Sequence, residues 1–343
     1  MISMNLLELT YAQLVDRFHR EYQRGDFHAA ALYRAFYGSA DWRLDHLPEF
    51  SRAPELKQQL SRQLELARPT MVTRTDEDGV SKLVFRLKDG HTIETVVIPM
   101  ANHSTVCISC QVGCRMGCRF CQTGQLGWIR NLSVDEIVAQ VYAVKVEMGI
   151  DVRNVVFMGM GEPLDNFDAV MQAVLVMEDQ RGLDIAKRHI TISTAGLPHK
   201  IRQLARLNWP RLKLALSLNA SNDTLRTELM PINRHWPMDR LKEALAAYPL
   251  GRGSAFFIEY VLIKGLNDQP EHARQLAHYF KGVPVKLNLI PYNPRAQSAY
   301  SAPTDEDLGK FHKALIDQKI FVRIRSAKGA GIMAACGQLG GAR

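Results

Sequence analysis

From residue 104 onward the chain repeats one pattern, in which a short apolar or β-branched run is followed by a loop and an amphipathic helix. The predicted strands cover residues 105–109, 154–158, 190–193, 213–218, 256–263 and 286–290, with a last one at 321–324. Alternation of this kind builds parallel sheets with right-handed crossovers. Because six such units fall short of the eight of a closed barrel, the sequence predicts an α/β fold with an incomplete (β/α)6 barrel. In barrels of this type the working residues lie on loops at the carboxyl ends of the strands.

The chain before the barrel has a different pattern. Apolar residues recur every three or four positions up to about residue 70, which predicts helices. Two strand-like runs follow at 82–87 and 92–98, and the Asp89-Gly90 pair between them is a strong signal for a hairpin turn. We therefore expect three units, which are a helical accessory domain over residues 1–75, a β-hairpin linker over 76–103 and a barrel core over 104–343.

The composition bounds the class of protein. Of the 343 residues 46% are hydrophobic, yet no segment reaches the roughly 20 apolar residues of a membrane span. The first residues lack the basic head, apolar run and cleavage site of a signal peptide, so we expect a cytoplasmic protein. A reducing compartment would keep the six cysteines available for metal or redox chemistry. The formal net charge of +8 is expected of a protein that meets polyanions such as nucleic acid, although an excess of this size is also typical of an ordinary solvated surface.

Three cysteines in the stretch GCRMGCRFC, Cys114, Cys118 and Cys121, have the spacing C-x3-C-x2-C. Three thiolates leave one iron of a four-iron cluster without a protein ligand, and this spacing is typical of sites that bind and cleave S-adenosylmethionine (SAM) at that iron. The alternative is a zinc site, since Cys107 and Cys110 stand nearby and zinc takes four thiolates in structural sites. The two C-x2-C pairs are closer together than in a zinc ribbon, which favours the cluster.

Polar residues follow several of the predicted strands. Gly161 and Glu162, in MGMGEPL, follow the second strand, where the glycine lets a ligand approach the backbone and the carboxylate suits an ammonium group. Further candidates at the ends of the third, fourth and sixth strands are Ser193, Ser217 with Leu218 and Asn219, and Asn293. Each alone is also explained as a turn or a helix cap, but together they predict a surface for bound SAM. Cys336, in AACGQL, is either a small buried hydrophobe or a reactive thiol.

These motifs together resemble the RlmN/Cfr family of radical SAM adenosine methyltransferases. The resemblance covers residues 94–341 and includes CISCQVGC, CRFCQTG, MGMGEPL, ITISTAG, NLIPYNP and AACGQL. It implies a [4Fe-4S] cluster on Cys114, Cys118 and Cys121. It implies SAM contacts at Gly161, Glu162, Ser193, Ser217, Leu218, Asn219 and Asn293. It also implies three catalytic residues, of which Cys336 carries a methyl group, Cys107 is the second catalytic cysteine and Glu94 is the base.

The activity that the resemblance implies is methylation of an adenosine ring carbon, C2 rather than C8, in ribosomal RNA, transfer RNA or both. Those carbons are not nucleophilic, so the methyl group first goes to the Cys336 thiolate and is then activated by a radical from a second SAM. We therefore expect two SAM molecules per turnover and a disulfide between Cys107 and Cys336 that must be reduced afterwards. The expected partners are RNA and an electron donor protein such as flavodoxin or ferredoxin, with no membrane, and the enzyme is expected to be a monomer.

Three positions depart from the family pattern. Cys110 stands where a serine is usual and is expected to be a spectator, Asn219 replaces a histidine, and the AKGAGIM segment before AACGQL lacks any carboxylate. Basic residues near the predicted slot are candidates for phosphate contacts, namely Arg115, Arg119, Arg130, Arg323, Arg325 and Lys328. Two other functions stay open. One is a radical SAM enzyme of another reaction type, which would not require Cys107 or Cys336, and the other is a non-catalytic iron–sulfur RNA-binding protein.

Overall fold

A computed structural model describes residues 3–65, 68–294, 298–325 and 328–340 of the chain. Within these residues ten strands form one continuous sheet, and two short strands form a second one. The strands are β1 (Thr70–Glu77), β2 (Val80–Arg86), β3 (Thr92–Pro99), β4 (Ser104–Cys107), β5 (Gln111–Gly113), β6 (Trp128–Asn131), β7 (Val152–Phe157), β8 (Ile190–Thr194), β9 (Lys213–Ser217), β10 (Phe256–Leu262), β11 (Val285–Pro291) and β12 (Val322–Ile324).

The large sheet contains the predicted barrel. Strands β4, β7, β8, β9, β10, β11 and β12 lie side by side in that order, and each neighbouring pair is parallel. Each run of the sequence pattern therefore became a strand, with ends within three residues of the predicted ones. The α/β fold with an incomplete six-unit barrel is confirmed, because β12 is a three-residue edge strand and not a seventh full unit.

Helices alternate with these strands and cover the outside of the barrel. The helices are α1 (Tyr11–Tyr22), α2 (Asp26–Ser39), α3 (Pro54–Gln63), α4 (Gln122–Gln125), α5 (Val134–Tyr142), α6 (Phe167–Glu178), α7 (Pro198–Arg206), α8 (Asp223–Leu229), α9 (Met238–Ala246), α10 (Pro270–Tyr279) and α11 (Asp305–Asp317). The connecting helices bury apolar stripes against the sheet, as Ile201 and Leu204 of α7 and Leu241 of α9 illustrate. This packing fixes the carboxyl ends of the strands, where the candidate site lies.

The antiparallel strands before the barrel belong to the same sheet. The predicted hairpin is present as β2 and β3 with its turn at Asp89 and Gly90, and β3 pairs with the first barrel strand β4. Strand β1 pairs with β2, so residues 70–75 of the segment predicted to be helical are strand. The strand was missed because β1 is an exposed edge whose side chains, TMVTRTDE, show no buried apolar alternation. The division of the chain into three domains stays a prediction.

The N-terminal helices pack on the outside of the barrel. The ring of Phe36 on α2 stacks on Tyr142 of α5 with ring centroids 4.7 Å apart, and the Tyr142 hydroxyl donates to the Phe36 carbonyl at 2.8 Å. The backbone N–H of Tyr11 donates to Asp179 beyond α6 at 2.6 Å. The N-terminal helices therefore support α5 and α6. Helix α5 follows the segment that carries the three clustered cysteines, and α6 follows the segment that carries Gly161 and Glu162. In the part of the chain that the structure describes, no helix is long and apolar enough to cross a membrane.

Candidate active site

The three clustered cysteines lie on a loop that the small sheet closes at its base. Strand β5 precedes the loop and β6 follows it, and the Cys114 N–H donates to the Gly127 carbonyl at 2.8 Å. Gly113 has a φ of +73°, and a Cβ there would lie 1.8 Å from the Gly127 oxygen, so the base of the loop requires glycine. Residues 114–127 are thereby held as one compact loop, which we call the cysteine loop.

The thiols of Cys114, Cys118 and Cys121 are neighbours without converging on one point. Burial raises the pKa of Cys114 to about 12 and that of Cys118 well above its usual range, and the nearby Cys121 thiol adds to both shifts. Among the described residues no three histidine, cysteine or carboxylate side chains are grouped tightly enough to hold a single metal ion. The four-iron cluster on these three thiols stays a prediction.

Cys110 lies beside the cysteine loop and is bonded to the loop after β7. The residue is buried, and its Sγ donates to the Met160 carbonyl at 3.6 Å. Burial raises the pKa of the Cys110 thiol well above its usual value, with the neighbouring Glu162 adding to the effect. The Cys110 thiol is thus engaged with the loop after β7, and its role as a spectator stays a prediction.

The loop after β7 packs tightly on β5. Gly161 has a φ of +103°, and a Cβ there would lie 2.6 Å from the Cβ of Gln111 and 2.8 Å from its backbone nitrogen. The Gln111 side chain accepts from the Glu162 N–H at 2.8 Å, which fastens this loop to the base of the cysteine loop. The fold thus brings Gly161 and Glu162 beside the three thiols, as their positions after the second barrel strand predict.

The carboxylate of Glu162 is held by the backbone. Its two oxygens accept from the Leu164 N–H at 3.0 Å and the Ala195 N–H at 2.7 Å. Burial raises the pKa of Glu162 to about 7 in spite of these bonds. Glu162 therefore joins the loop after β7 to the loop after β8, and this is a structural task that the sequence did not indicate.

The other polar candidates lie at neighbouring strand ends. The Oγ atoms of Ser193 on β8 and Ser217 on β9 are 3.3 Å apart. The Asn219 side chain accepts from the Val261 N–H at 2.9 Å and donates to the Met230 sulfur at 3.4 Å, so its amide holds the strands rather than facing open space. Leu218 is buried beside it, and its N–H donates to the Glu259 carbonyl. The two serines and the backbone around Leu218 form one continuous edge.

The segment of residues 328–340, which we call the C-terminal loop, lies across this edge. The Asn293 side chain donates to the Cys336 carbonyl at 3.0 Å. From the cysteine loop, the Gln122 N–H donates to the Gly337 carbonyl at 2.7 Å and the Thr123 hydroxyl to the Leu339 carbonyl at 2.7 Å. The last two bonds bring together residues more than 200 positions apart in sequence and place Cys336 at the cysteine loop.

The thiol of Cys336 lies near enough to Cys107 to affect the pKa of the Cys107 thiol. Cys107, at the end of β4, is buried, and burial together with the nearby Cys336 thiol raises its pKa. Cys336 as a residue is exposed, but desolvation of its thiol, with the Glu259 carboxylate and Cys121 nearby, raises its pKa to about 11. All six cysteines are free thiols in the structure, so the expected disulfide between Cys107 and Cys336 is absent here.

Glu94 projects from the same face of the sheet as Cys107. Lys82, Val96 and Cys107 lie opposite one another on β2, β3 and β4, and Glu94 precedes Val96 by two residues. Glu94 Oε2 lies 3.2 Å from Lys82 Nζ and accepts from the Gly340 N–H at 3.0 Å. The predicted base is therefore a buried carboxylate that is paired with a lysine and bonded to the C-terminal loop.

Lys82 makes a second bond to the same loop. Its Nζ donates to the Met333 carbonyl at 3.2 Å, while its side chain is only 9% exposed. A further carboxylate, Glu77 on β1, accepts from the Gly331 N–H at 3.1 Å. The AKGAGIM segment lacks its own carboxylate, and the described part of it receives one from β1 instead. Ala327, the first residue of the segment, lies outside the described residues.

Several site residues escaped the sequence analysis. Glu259 on β10 accepts from the Asn288 side chain at 2.8 Å, and Arg325 Nε donates to Asn288 Oδ1 at 3.0 Å, so a polar chain crosses the barrel next to Cys336. Burial raises the pKa of Glu259. The available signal was a single polar residue inside each of two apolar strands, FFIEYVL and VKLNLIP. Arg226 on α8 gave no such signal, since an arginine in a short helix is usually exposed.

The candidate RNA-contacting residues differ in how far their charges are already paired. Arg130 forms ion pairs with Asp89 at 2.5 Å and Glu136 at 2.7 Å, and these raise its pKa. Arg115 pairs with Asp165 at 2.9 Å and lies 4.0 Å above the ring of Trp128, which is 42% exposed. Of the other four, Arg119 lies on the cysteine loop, Arg323 and Arg325 precede the C-terminal loop, and Lys328 is its first residue.

Comparison with known proteins agrees with this geometry. Residues 108–277 match the family model of the radical SAM superfamily. The chain is 42% identical over 316 residues to a dual-specificity RNA methyltransferase RlmN of Syntrophobacter fumaroxidans, with 91% of each chain covered. It is 38% identical to a probable dual-specificity RNA methyltransferase RlmN of Protochlamydia amoebophila, with 98% of this chain and 94% of that one covered. The crystal structure of a radical SAM methyltransferase from Sphaerobacter thermophilus superposes with a TM-score of 0.89 at 38% identity, covering 98% of this chain and 99% of that one.

Proposed function

Since this chain belongs to the RlmN family of radical SAM RNA methyltransferases, we propose that it methylates C2 of an adenosine through a methyl group carried on Cys336. The observation that carries the proposal is the docking of the C-terminal loop. It brings Cys336 from the end of the chain onto the cysteine loop and next to Cys107, two thiols for which other radical SAM reactions have no use.

The three thiols of Cys114, Cys118 and Cys121 would hold the [4Fe-4S] cluster, and the edge formed by Gly161, Glu162, Ser193, Ser217, Leu218, Asn219 and Asn293 would hold SAM. When bound, the cluster and SAM supply a one-electron cleavage that yields a carbon radical able to remove a hydrogen atom. The remaining steps belong to the side chains of the protein. The electron comes from a donor protein such as flavodoxin or ferredoxin.

Cys336 first accepts a methyl cation from one SAM molecule, for which its thiol must lose a proton, because the thiolate is the nucleophile. Removal of one hydrogen atom from the S-methyl group, with a second SAM as the source of the abstracting radical, leaves a methylene radical on Cys336. That radical adds to the adenine ring carbon and joins the protein covalently to the RNA. Cys336 is exposed, which would give the base access to this position.

Release of the product requires a base and a second thiol. The radical adduct must first give up one electron, for which the bound cluster would be the acceptor. Glu94 then removes the proton from the ring carbon. The Cys107 thiolate attacks the Cys336 sulfur, so that a Cys107–Cys336 disulfide forms and the carbon–sulfur bond breaks, and the departing carbon keeps the electron pair and takes up a proton to become the methyl group. In the resting arrangement Glu94 is engaged with Lys82 and Gly340. The C-terminal loop must therefore shift before Glu94 acts, and a reductant must restore the two thiols after each turnover.

The relatives named above are dual-specificity enzymes, and we propose the same breadth here, with ribosomal and transfer RNA as substrates. An unpaired or flipped adenosine would enter the slot while basic residues hold the flanking phosphates. The test is anaerobic turnover of the reconstituted protein with SAM, a reductant and transcripts of each RNA, followed by mass spectrometry of the nucleosides. We expect 2-methyladenosine with the native protein and none with Cys336→Ala. A product methylated at C8, or on a nitrogen, would contradict the proposed regiochemistry.

A further inference from the structure

Arg226 on α8 is a fully buried arginine, with 0% of its surface exposed. Its guanidinium donates to neutral groups. Nη1 donates to Asn233 Oδ1 at 2.8 Å and to the Trp236 carbonyl at 3.5 Å, while Nη2 donates to the Ala195 carbonyl at 2.5 Å. Among the described residues its Nε has no acceptor, and no carboxylate lies within ion-pair distance.

A cation in this position is costly unless something nearby is negative. Burial lowers the pKa of Arg226 to about 10, and the neighbouring Tyr279, Cys118 and Asp223 only partly offset the effect. Asp223 is already committed, because its Oδ1 accepts from Asn233 and from the Met238 N–H. Buried charges in proteins are normally paired or serve a bound group, so the missing counterion must be sought in what the site holds.

The surroundings of Arg226 indicate where that counterion would lie. Its helix ends against the cysteine loop, where the Arg119 N–H donates to the Leu229 carbonyl at 2.9 Å. Its guanidinium is near enough to Cys118 that each changes the pKa of the other. Ala195 lies between Arg226 and Glu162, because its carbonyl accepts from the Arg226 guanidinium and its N–H donates to the Glu162 carboxylate. Arg226 therefore stands at the junction of the cysteine loop and the loop after β8.

We propose that Arg226 is the internal countercharge of the iron–sulfur cluster and makes the cluster easier to reduce. The inference rests on the proposed cluster at Cys114, Cys118 and Cys121. A cluster held by three thiolates becomes more negative when it takes up an electron. A fixed cation next to Cys118 stabilises the reduced form more than the oxidised form. Arg226 is thus a positioning residue for electron transfer, since it acts on the cluster through charge and does not touch the reacting carbon.

The expected size follows from Coulomb's law. For two unit charges separated by about 10 Å, at the effective dielectric constant of about 20 that suits protein sites, Coulomb's law gives a roughly tenfold change in a one-electron equilibrium. For a one-electron couple a tenfold change corresponds to about 59 mV. Removal of the charge should therefore lower the midpoint potential of the cluster by about that amount.

The experiment compares Arg226→Gln, which removes the charge but keeps a side chain that donates hydrogen bonds, with Arg226→Lys, which keeps the charge. Arg234→Met is the matched control, because Arg234 is exposed on the same part of the chain and its charge is screened by solvent. Each protein is reconstituted anaerobically, its iron and sulfide are measured, and the reduced cluster is titrated against potential by electron paramagnetic resonance.

We expect Arg226→Gln to lower the ratio of reduced to oxidised cluster about tenfold at a fixed potential, while Arg226→Lys and Arg234→Met stay near the native value. The requirement for a positive charge would also be supported if the Arg226→Gln protein folds but binds no cluster, while the Arg226→Lys protein binds one. A Gln variant at the native potential, or equal failure of the Gln and Lys variants to fold or to bind iron, would overturn the inference. A native protein that binds no cluster would instead remove the proposed function.

Discussion

Replacement of Lys82 by methionine tests how the C-terminal loop is held. Lys82 Nζ and Glu94 Oε2 are 3.2 Å apart, and their side chains are 9% and 1% exposed. Loss of one partner of a buried pair leaves the other charge uncompensated and typically costs about 3–5 kcal/mol. Lys82→Met also removes the bond to the Met333 carbonyl, worth about 1 kcal/mol. We therefore expect the free energy of unfolding to fall by about 3–6 kcal/mol.

The assay is urea unfolding of the reduced apoprotein, followed by circular dichroism, for a double-mutant cycle. Glu94→Gln removes the other charge, and the double variant leaves neither charge buried. If the pair accounts for the loss, the double variant should be more stable than Lys82→Met by at least 1 kcal/mol, although it carries one more substitution. Hydrogen exchange should rise in the C-terminal loop, where Met333 and Gly340 lose their support.

Lys88→Met is the matched control. Lys88 lies on the same hairpin and pairs with Glu65, but that pair is exposed, and exposed pairs contribute about 0–1 kcal/mol. Two results would refute the coupling between Lys82 and Glu94. One is a loss below 1 kcal/mol for Lys82→Met, and the other is a double variant whose loss of stability equals the sum of the two single losses.

Three further predictions concern the site. Cys114→Ala should abolish iron binding on anaerobic reconstitution whereas Cys110→Ala should retain it, and loss of iron in Cys110→Ala would make that residue a ligand. Because the pKa of Glu162 is raised from 4.5 to about 7, the folded apoprotein retains a proton that the unfolded chain releases, so stability falls by up to about 3 kcal/mol as pH rises through that window. Glu162→Gln should remove that slope in urea unfolding, and an unchanged slope would assign the titration elsewhere. Gly161→Ala, which places a Cβ 2.6 Å from the Gln111 side chain, should weaken SAM binding measured by calorimetry at least tenfold, and native affinity would show that the loop has room.

Local patterns carried most of the fold. The barrel strands are short apolar runs whose neighbours along the chain are also neighbours in the sheet, so periodicity was sufficient to predict them. The hairpin of β2 and β3 was equally visible because Asp89-Gly90 specifies its turn. Strand β1 was not, because an exposed edge strand needs no apolar face and its polar residues resemble a loop.

The site was predicted as a set of residues but not as a set of contacts. The spacing of the cysteines and the positions of Gly161 and Glu162 after a strand are local features. The bond of Lys82 to the C-terminal loop joins segments that nothing in the sequence pairs, since Lys82 and Met333 are 251 positions apart. Arg226 was missed for a related reason, because its burial is set by the cysteine loop and the segment before α9 and not by its own helix.

The transfer of the methyl group through Cys336 is tested most directly by the Cys107→Ala protein. Without the second thiol, reaction with SAM, a reductant and RNA should proceed as far as the covalent bond between Cys336 and the adenine ring and then stop. Denaturing electrophoresis in high salt, followed by peptide mass spectrometry, should find an RNA fragment attached to Cys336 and absent from the Cys107→Ala, Cys336→Ala double variant. Ionic contacts to phosphate weaken steeply with salt and would not survive. A Cys107→Ala protein that binds its cluster and forms 5′-deoxyadenosine, yet carries no adduct on Cys336, would contradict the account.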